Sequence, residues 1–513
     1  MKDDLHRDRR FKPEPGGEVA MPESPQQDLS IKIGKKTFIT AVIILMLLIL
    51  AVGVLTLVIP TGSFERQTVD GRVTIIQDSF RFTEAERFPV WRWFTAPVEV
   101  LFSSDGGVIV VIIFFLLAVG MAFSLLEKSD VMSLIISKVV KRFSKMKYVL
   151  MAVIVFFFML LGAVLGTFEE NIAMVPIIIA LSYCLGWDSL VGLGMSILAS
   201  CFGFSAAMTN PFSIAITQRI AELPLYSGFG YRLIIFLVYY LTVYLFLFRY
   251  ARKIERHPEK SYIYGEDAAL RNKYRNMDSL DKMLNQKSPE ELKKLKRGTL
   301  AFGLFVVLLF IVILGASLIP GLSDLMLPLI GLLFLIGGVV ASTLAGVPLK
   351  ERLKIMGKSA GGIAPGIILI LLAMSVKFII NNGGIMDTIL YYTSSAIRET
   401  SPYAAVMLIF ALILFLELFV GSSSAKAFLV MPLIAPLSDL VGITRQTSVL
   451  AFCFGDGFSN ILYPTNPVLL ICLGLTVVNY PKWLKWTYKL QLVSFALACL
   501  FLVIGVATGY GPF

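Results

Sequence analysis

Two histidines and five cysteines are all that this 513-residue chain offers toward metal or redox chemistry, and neither type is placed for it. His6 and His257 stand in charged flanks, which removes intramembrane histidine relays and haem ligation. Cys184, Cys201, Cys453, Cys472 and Cys499 each sit in an apolar segment without paired spacing, so they read as small packing residues and not as disulfides or metal ligands. No nucleophile and base constellation, phosphate loop or nucleotide fingerprint stands out, which argues against an enzyme and against coupling to ATP within the chain. Charge is scarce too: Asp, Glu, Lys and Arg make up 16% of residues against 57% hydrophobic, with a mean hydropathy of +0.78. Uncharged windows of about 20 residues recur, as in a polytopic all-α membrane protein. The net charge of +11 comes from basic residues beside those windows, so the positive-inside effect explains it and nucleic acid is not an expected partner.

Residues 1–30 hold seven Asp or Glu and no apolar run, unlike a cleaved signal peptide, and 1–36 is expected to be a disordered cytoplasmic tail. About nine full spans are expected, near 38–59, 107–126, 189–221, 229–249, 299–318, 325–347, 363–381, 447–478 and 489–508. Two more stretches, 148–185 and 403–437, each hold an apolar run, a short polar interruption (Gly166 to Asn171; Gly421 to Lys426) and a second, shorter run. Re-entrant helical hairpins fit them better than crossings.

Basic residues orient the chain. Lys32, Lys35 and Lys36 precede the first span, and 131–147 holds five Lys or Arg without an acidic residue, so both belong inside. The loop 61–105 carries seven acidic against five basic residues and is expected outside. The count then places a linker, 251–298, inside with Lys350 to Lys358 and Lys482 to Lys489, which predicts a cytoplasmic N-terminus and an external C-terminus. Residues 131–146 have the pattern of an interfacial helix on the inner leaflet, with an equivalent near 385–397 on the outer side.

Thr209-Asn210-Pro211 recurs 256 residues later as Thr465-Asn466-Pro467, each ending an apolar segment that begins at a proline, Pro176 or Pro432. Over 176–211 and 432–467 the copies also share Ile178/Ile434, Leu181/Leu437, Ser182/Ser438, Gly186/Gly442 and Phe202/Phe458. The second copy has a span, 325–347, where the first has its external loop, so matching elements enter from opposite sides. The expected organisation is an inverted repeat, 37–250 and 299–513, with two re-entrant hairpins and two broken helices.

Breaks point at sites, because irregular backbone at membrane depth survives only inside protein or beside water. Pro211 and Pro467 free carbonyls that, with Thr209, Asn210, Thr465 and Asn466, could ligate a cation, while the half-helix that follows favours an anion. A proline kink in a packed helix is the plain alternative, weakened by its recurrence. Glu169 and Glu170, beside Asn171 at the first hairpin's turn, each cost roughly 2.5–3.5 kcal/mol if ionised at membrane depth, so they need a cation, water or protons. Otherwise this tip simply reaches the interface. Ser422, Ser423, Ser424 and Lys426 at the second turn would make a carboxylate cradle, or else a solvated turn. Of three charges isolated in apolar runs, Asp456, flanked by Gly455 and Gly457, ranks as functional, whereas Lys377 and Glu417 suit scaffold pairing with each other or with Lys426.

These residues, with Ile59-Pro60-Thr61-Gly62-Ser63-Phe64, Asn210-Pro211-Phe212, Phe454-Gly455-Asp456-Gly457-Phe458, Tyr463-Pro464-Thr465 and Trp483-Leu484-Lys485, resemble YfcC-like members of the C4-dicarboxylate anaerobic carrier (DcuC-like) family, within the ion transporter superfamily. The resemblance runs from about residue 38 over nearly the whole chain. It implies two hairpin tips meeting two broken helices around a midmembrane substrate site, and secondary transport by symport or exchange, often in a homodimer. The chain departs from the family at Ser422-Ser423-Ser424-Ala425-Lys426, where Ser-Gly-Ser-Gly-Gln is usual, and at Glu417, where a neutral residue is expected.

The expected function is a secondary active transporter of a small carboxylate-bearing metabolite, an amino acid or C4-dicarboxylate, in the bacterial inner membrane. A basic amino acid antiporter of the arginine/ornithine type is the alternative, and an ion channel the alternative of another class. Thr209, Asn210, Thr465 and Asn466 would shape the half-sites, Ser422 to Ser424 and Lys426 would receive a carboxylate, and Glu169, Glu170, Asn171 and Asp456 would take the coupling cation, Na+ or H+. No other cofactor is expected.

Overall fold

A computed structural model describes residues 35–69, 72–76, 78–84, 87–275, 287–317 and 326–511; the expected tail lies outside them but for its last two residues. The chain is an all-α, multi-pass membrane protein whose few strands are short and lie between residues 62 and 82. Among the described residues eight helices are long and apolar enough to cross a membrane: Phe38–Val58, Gly106–Lys128, Lys147–Leu165, Ser189–Ala206, Phe229–Arg256, Leu327–Leu344, Leu349–Asn382 and Tyr480–Thr508. The expected span 299–318 ends outside the described residues and is not among these eight, and two other differences from the sequence reading have local causes. The leading arm of the first hairpin, Lys147–Leu165, reaches crossing length because its helix continues through a wide π turn, Leu161–Leu165. The second broken helix is divided into Arg445–Gly457 and Pro467–Gly474, each too short to cross alone.

Two groups of helices follow from packing. In one, Gly106–Lys128 packs on Met326–Leu344 and Leu349–Asn382, with Lys35–Val58 and Pro289–Ser317 at its flanks. The other holds both hairpins and both broken helices, supported by Phe229–Arg256 and Tyr480–Thr508. Each group draws on both halves of the sequence. Within the second, the broken helices cross where Gly457 meets Ser205: a Cβ on Gly457 would lie 2.2 Å from Ser205 Cα, and Cys201 Sγ donates to Gly457 O at 2.9 Å. Only glycine permits that approach.

Segments that the charge count assigns to one side do meet. Lys147 pairs with Glu255, Lys287 with Asp130 and Lys482 with Glu266. At the other end the strand Gly62–Ser63 lies against the Met386–Arg398 helix and the strand Arg72–Ile75 against Ser423–Leu440, with Arg66 bound to Asp387 at 2.8 Å and Phe80 stacked on Tyr391.

The first part of the linker is folded onto the second group. Ser261 and Tyr250 hydroxyls both donate to Asp188 Oδ2 at 2.7 Å, and Ile263 is buried. Asp267, with a fully buried side chain, accepts from Arg271 at 2.5 Å while its Oδ2 has no partner. Burial pushes the Asp267 carboxyl up to about 7, against the pull of Arg271. The folded state therefore holds this proton more tightly than the unfolded chain does. The stabilisation is complete below the ordinary carboxylate range near 3.9 and is lost as pH rises through about 7. Hydrogen exchange of residues 261–275 should accelerate between pH 6 and 8, beyond the intrinsic base-catalysed rise, and Asp267→Asn should flatten that excess. An unchanged excess in the variant would rule Asp267 out as its source.

Candidate functional site

Each hairpin tip meets one broken helix. At the first tip Gly166, with φ of +70°, turns the chain after Leu161–Leu165, and a Cβ there would lie 2.2 Å from Asn210 Oδ1. Thr209 donates its backbone N–H to Ala163 O at 3.0 Å and its hydroxyl to Val164 O at 3.2 Å. Asn171 Nδ2 donates to Thr167 O at 2.8 Å and to Ser200 Oγ at 2.6 Å, and Ser200 Oγ donates to Thr167 O. Glu169 is exposed and Glu170 half-buried. Glu170 Oε2 accepts from Phe168 N at 3.2 Å, and among the described residues no cation lies within ion-pair distance of either carboxylate.

The second tip has the opposite character. Ser422 caps the Ser423–Leu440 helix by accepting from Ala425 N, and Ser424 sits half-buried beside it. Lys426, in the first turn of that helix, has a side chain with 0% exposure. Its Nζ donates to Glu417 Oε2 and, at 2.8 Å, to Asp456 Oδ1; both carboxylates are 1% exposed. Ser423 Oγ donates to Asp456 Oδ2 at 2.6 Å. Asp456 is thereby enclosed, and the Lys426 ammonium is paired within the protein. Lys377 pairs elsewhere, with Asp105 at 2.8 Å.

The repeat offset aligns these groups: Glu170 with Lys426, Ser200 with Asp456, Thr167 with Ser423 and Leu161 with Glu417. In both halves the 167/423 position is hydrogen-bonded to the 200/456 position. The backbone design is shared while the charge at 170/426 is reversed. The halves also touch across the centre, since the turn Glu170–Met174 packs on Pro467–Gly474 and Ser423–Leu440 packs on Ile214–Ile220.

The paired Asn-Pro motifs bond the backbone just after each break. Asn210 Oδ1 accepts from Phe212 N at 2.8 Å and Ser213 N at 3.3 Å; Asn466 Oδ1 accepts from Val468 N at 3.0 Å and Leu469 N at 3.3 Å. Asn466 Nδ2 continues to Asn460 Oδ1 at 2.8 Å. Asn466 thus caps the Pro467–Gly474 half-helix, with proline just behind the cap, where a missing N–H costs nothing, whereas Asn210 closes the turn Pro211 to Ser213 ahead of the Ile214–Ile220 helix. Asn466→Ala should lower stability by about 1 kcal/mol, read as a shift in the unfolding midpoint. A loss above about 3 kcal/mol would mean that the amide does more than cap.

Several carbonyls around the breaks are occupied by side chains to which the sequence reading assigned no role. Buried Arg232 donates to Met208 O at 3.3 Å, Trp483 Nε1 to Ile461 O at 2.9 Å and the Tyr480 hydroxyl to Leu462 O at 2.8 Å. Arg232 is the fourth residue of the Phe229–Arg256 helix, where an arginine reads as an interface anchor. Thr465 Oγ1, by contrast, is buried without a partner.

The model of the C4-dicarboxylate anaerobic carrier family matches residues 38–507. A protein of Escherichia coli (strain K12) named "Putative basic amino acid antiporter YfcC" is 30% identical over 519 aligned positions, covering 92% of this chain and 96% of the relative. An uncharacterized protein of Haemophilus influenzae is 27% identical over 347, covering 67% and 65%. The crystal structure of the Alcanivorax borkumensis YdaH transporter aligns with 93% of this chain and 100% of its own at 15% identity and a TM-score of 0.40.

Proposed function

Because this chain belongs to the C4-dicarboxylate anaerobic carrier family of transporters, we propose that it is a secondary active transporter of a basic amino acid in the bacterial inner membrane. The observation that carries this reading is the charge difference between the tips. Among the described residues Glu169 and Glu170 have no cation beside them, whereas Lys426 is consumed by Glu417 and Asp456. A solute bringing an ammonium or guanidinium would supply the missing cation at the first tip. Its α-carboxylate would lie at the N-terminus of the Ser423–Leu440 helix, near Ser422, Ser423 and Ser424, where the macrodipole favours an anion. The name of the Escherichia coli relative agrees with this class.

In this reading the hairpins are re-entrant, the repeat is inverted, and the group holding the tips moves against the other, as two-domain carriers do. Transport is exchange, or symport with Na+ or H+, without chemistry on the solute. A second reading, a C4-dicarboxylate, is favoured by the serine-capped second tip and the family's description.

Counterflow in proteoliposomes separates the two. Liposomes loaded with arginine, ornithine or lysine should accumulate the labelled form at least about tenfold over liposomes loaded with succinate or fumarate, a difference worth about 1.4 kcal/mol. The reverse order would favour the dicarboxylate, and flux that does not saturate would indicate a channel.

A further inference from the structure

The second tip raises the question of whether a free coupling cation fits there at all. A hard cation such as Na+ needs several oxygen ligands around it. At this break most of them are spent: Asp456 Oδ1 and Glu417 Oε2 on Lys426, Asp456 Oδ2 on Ser423, and Asn466 Oδ1 on two backbone N–H groups. The carbonyls of Gly457, Ile461 and Leu462 accept from Asn460, Trp483 and Tyr480. Glu417 Oε1 and Thr465 Oγ1 are buried without partners, too few to enclose an ion by themselves.

The place is nevertheless built for positive charge. The Pro402–Glu417 and Arg445–Gly457 helices both end here, so two negative dipole ends add to two carboxylates. The group occupying it is the ammonium of Lys426, with no exposed side-chain surface. In the first half the aligned residue is Glu170, and among the described residues no lysine or arginine lies within ion-pair distance of it.

We propose that Lys426 is a tethered cation standing in the coupling-ion position of the second tip, so that this half of the carrier needs no free cation. The inference rests on the carrier reading above but concerns an ion, not the solute. Any cation dependence of transport then belongs to the first tip. Replacing Lys426 should create a cation requirement that the parent chain lacks.

The test is thermal unfolding of the purified full chain in detergent without solute, so that it succeeds or fails independently of what is transported. It uses a Glu169→Gln/Glu170→Gln background, in which only the second tip can report. The midpoint in that background should be the same in sodium chloride and in choline chloride. Adding Lys426→Ala should lower it, and Na+ or methylammonium should recover at least half of the loss in a saturable way. Adding Glu417→Gln to Lys426→Ala leaves one buried carboxylate and guards against a variant too unstable to purify; the same recovery is expected. Two results would overturn the proposal: a saturable Na+ shift in the background that retains Lys426, or indifference of both Lys426→Ala forms to every cation. Absence of counterflow with basic amino acids would instead strike the substrate reading and leave these melting results intact.

Discussion

Lys426→Met is expected to destabilise the protein by about 3–5 kcal/mol, because it strands two buried carboxylates that share one ammonium. Both Glu417 and Asp456 are 1% exposed, so water cannot replace the lost partner. The cost lies in the stranded charges and not in lost attraction: within a low-dielectric interior the pair gains little over a well-packed apolar substitute. Lys426→Met combined with Glu417→Leu and Asp456→Leu should therefore recover most of the loss, retaining a smaller penalty for Ser423, whose hydroxyl loses its acceptor. Denaturant titration in detergent measures both. A single variant within about 1 kcal/mol of the parent would show that the ammonium is not desolvated in this way.

The largest functional effect is expected at the other tip. Glu169→Gln/Glu170→Gln should weaken a cationic solute by about 2–5 kcal/mol, roughly 30-fold to a few thousandfold in apparent affinity. Stability should hold or rise, because among the described residues neither carboxylate has a cation beside it and the two adjacent charges repel. Glutamine also keeps an acceptor for Phe168 N, which Glu170 now binds. The split between solute affinity and melting temperature is the discriminating result. Loss of both together would give these residues a structural role, and unchanged uptake would remove them from the site.

Much of the architecture is legible because its signals are local. Helix-forming apolar runs, the turns at Gly166 to Asn171 and Gly421 to Lys426, and proline after asparagine each act within one or two helical turns. The cap that Asn466 makes and the turn that Asn210 closes are equally local. Charge partners are a different matter. Lys377 meets Asp105 across 272 residues, Lys426 meets Asp456 across 30, and Arg232 reaches Met208 O across 24. No periodicity encodes such pairs. Each depends on where helix ends converge.

The amino-acid sequence alone determined that this is a polytopic α-helical membrane protein with paired helix breaks and two polar turns, since those properties follow from apolar run length and backbone chemistry. Only the tertiary structure decided how the charges are spent. A lysine at a hairpin turn can serve a solute or a neighbour with the same local sequence. Convergence of the Glu417 and Gly457 helix ends on Lys426 spends its charge at the second tip, while among the described residues no cation comes within reach of Glu169 and Glu170 at the first.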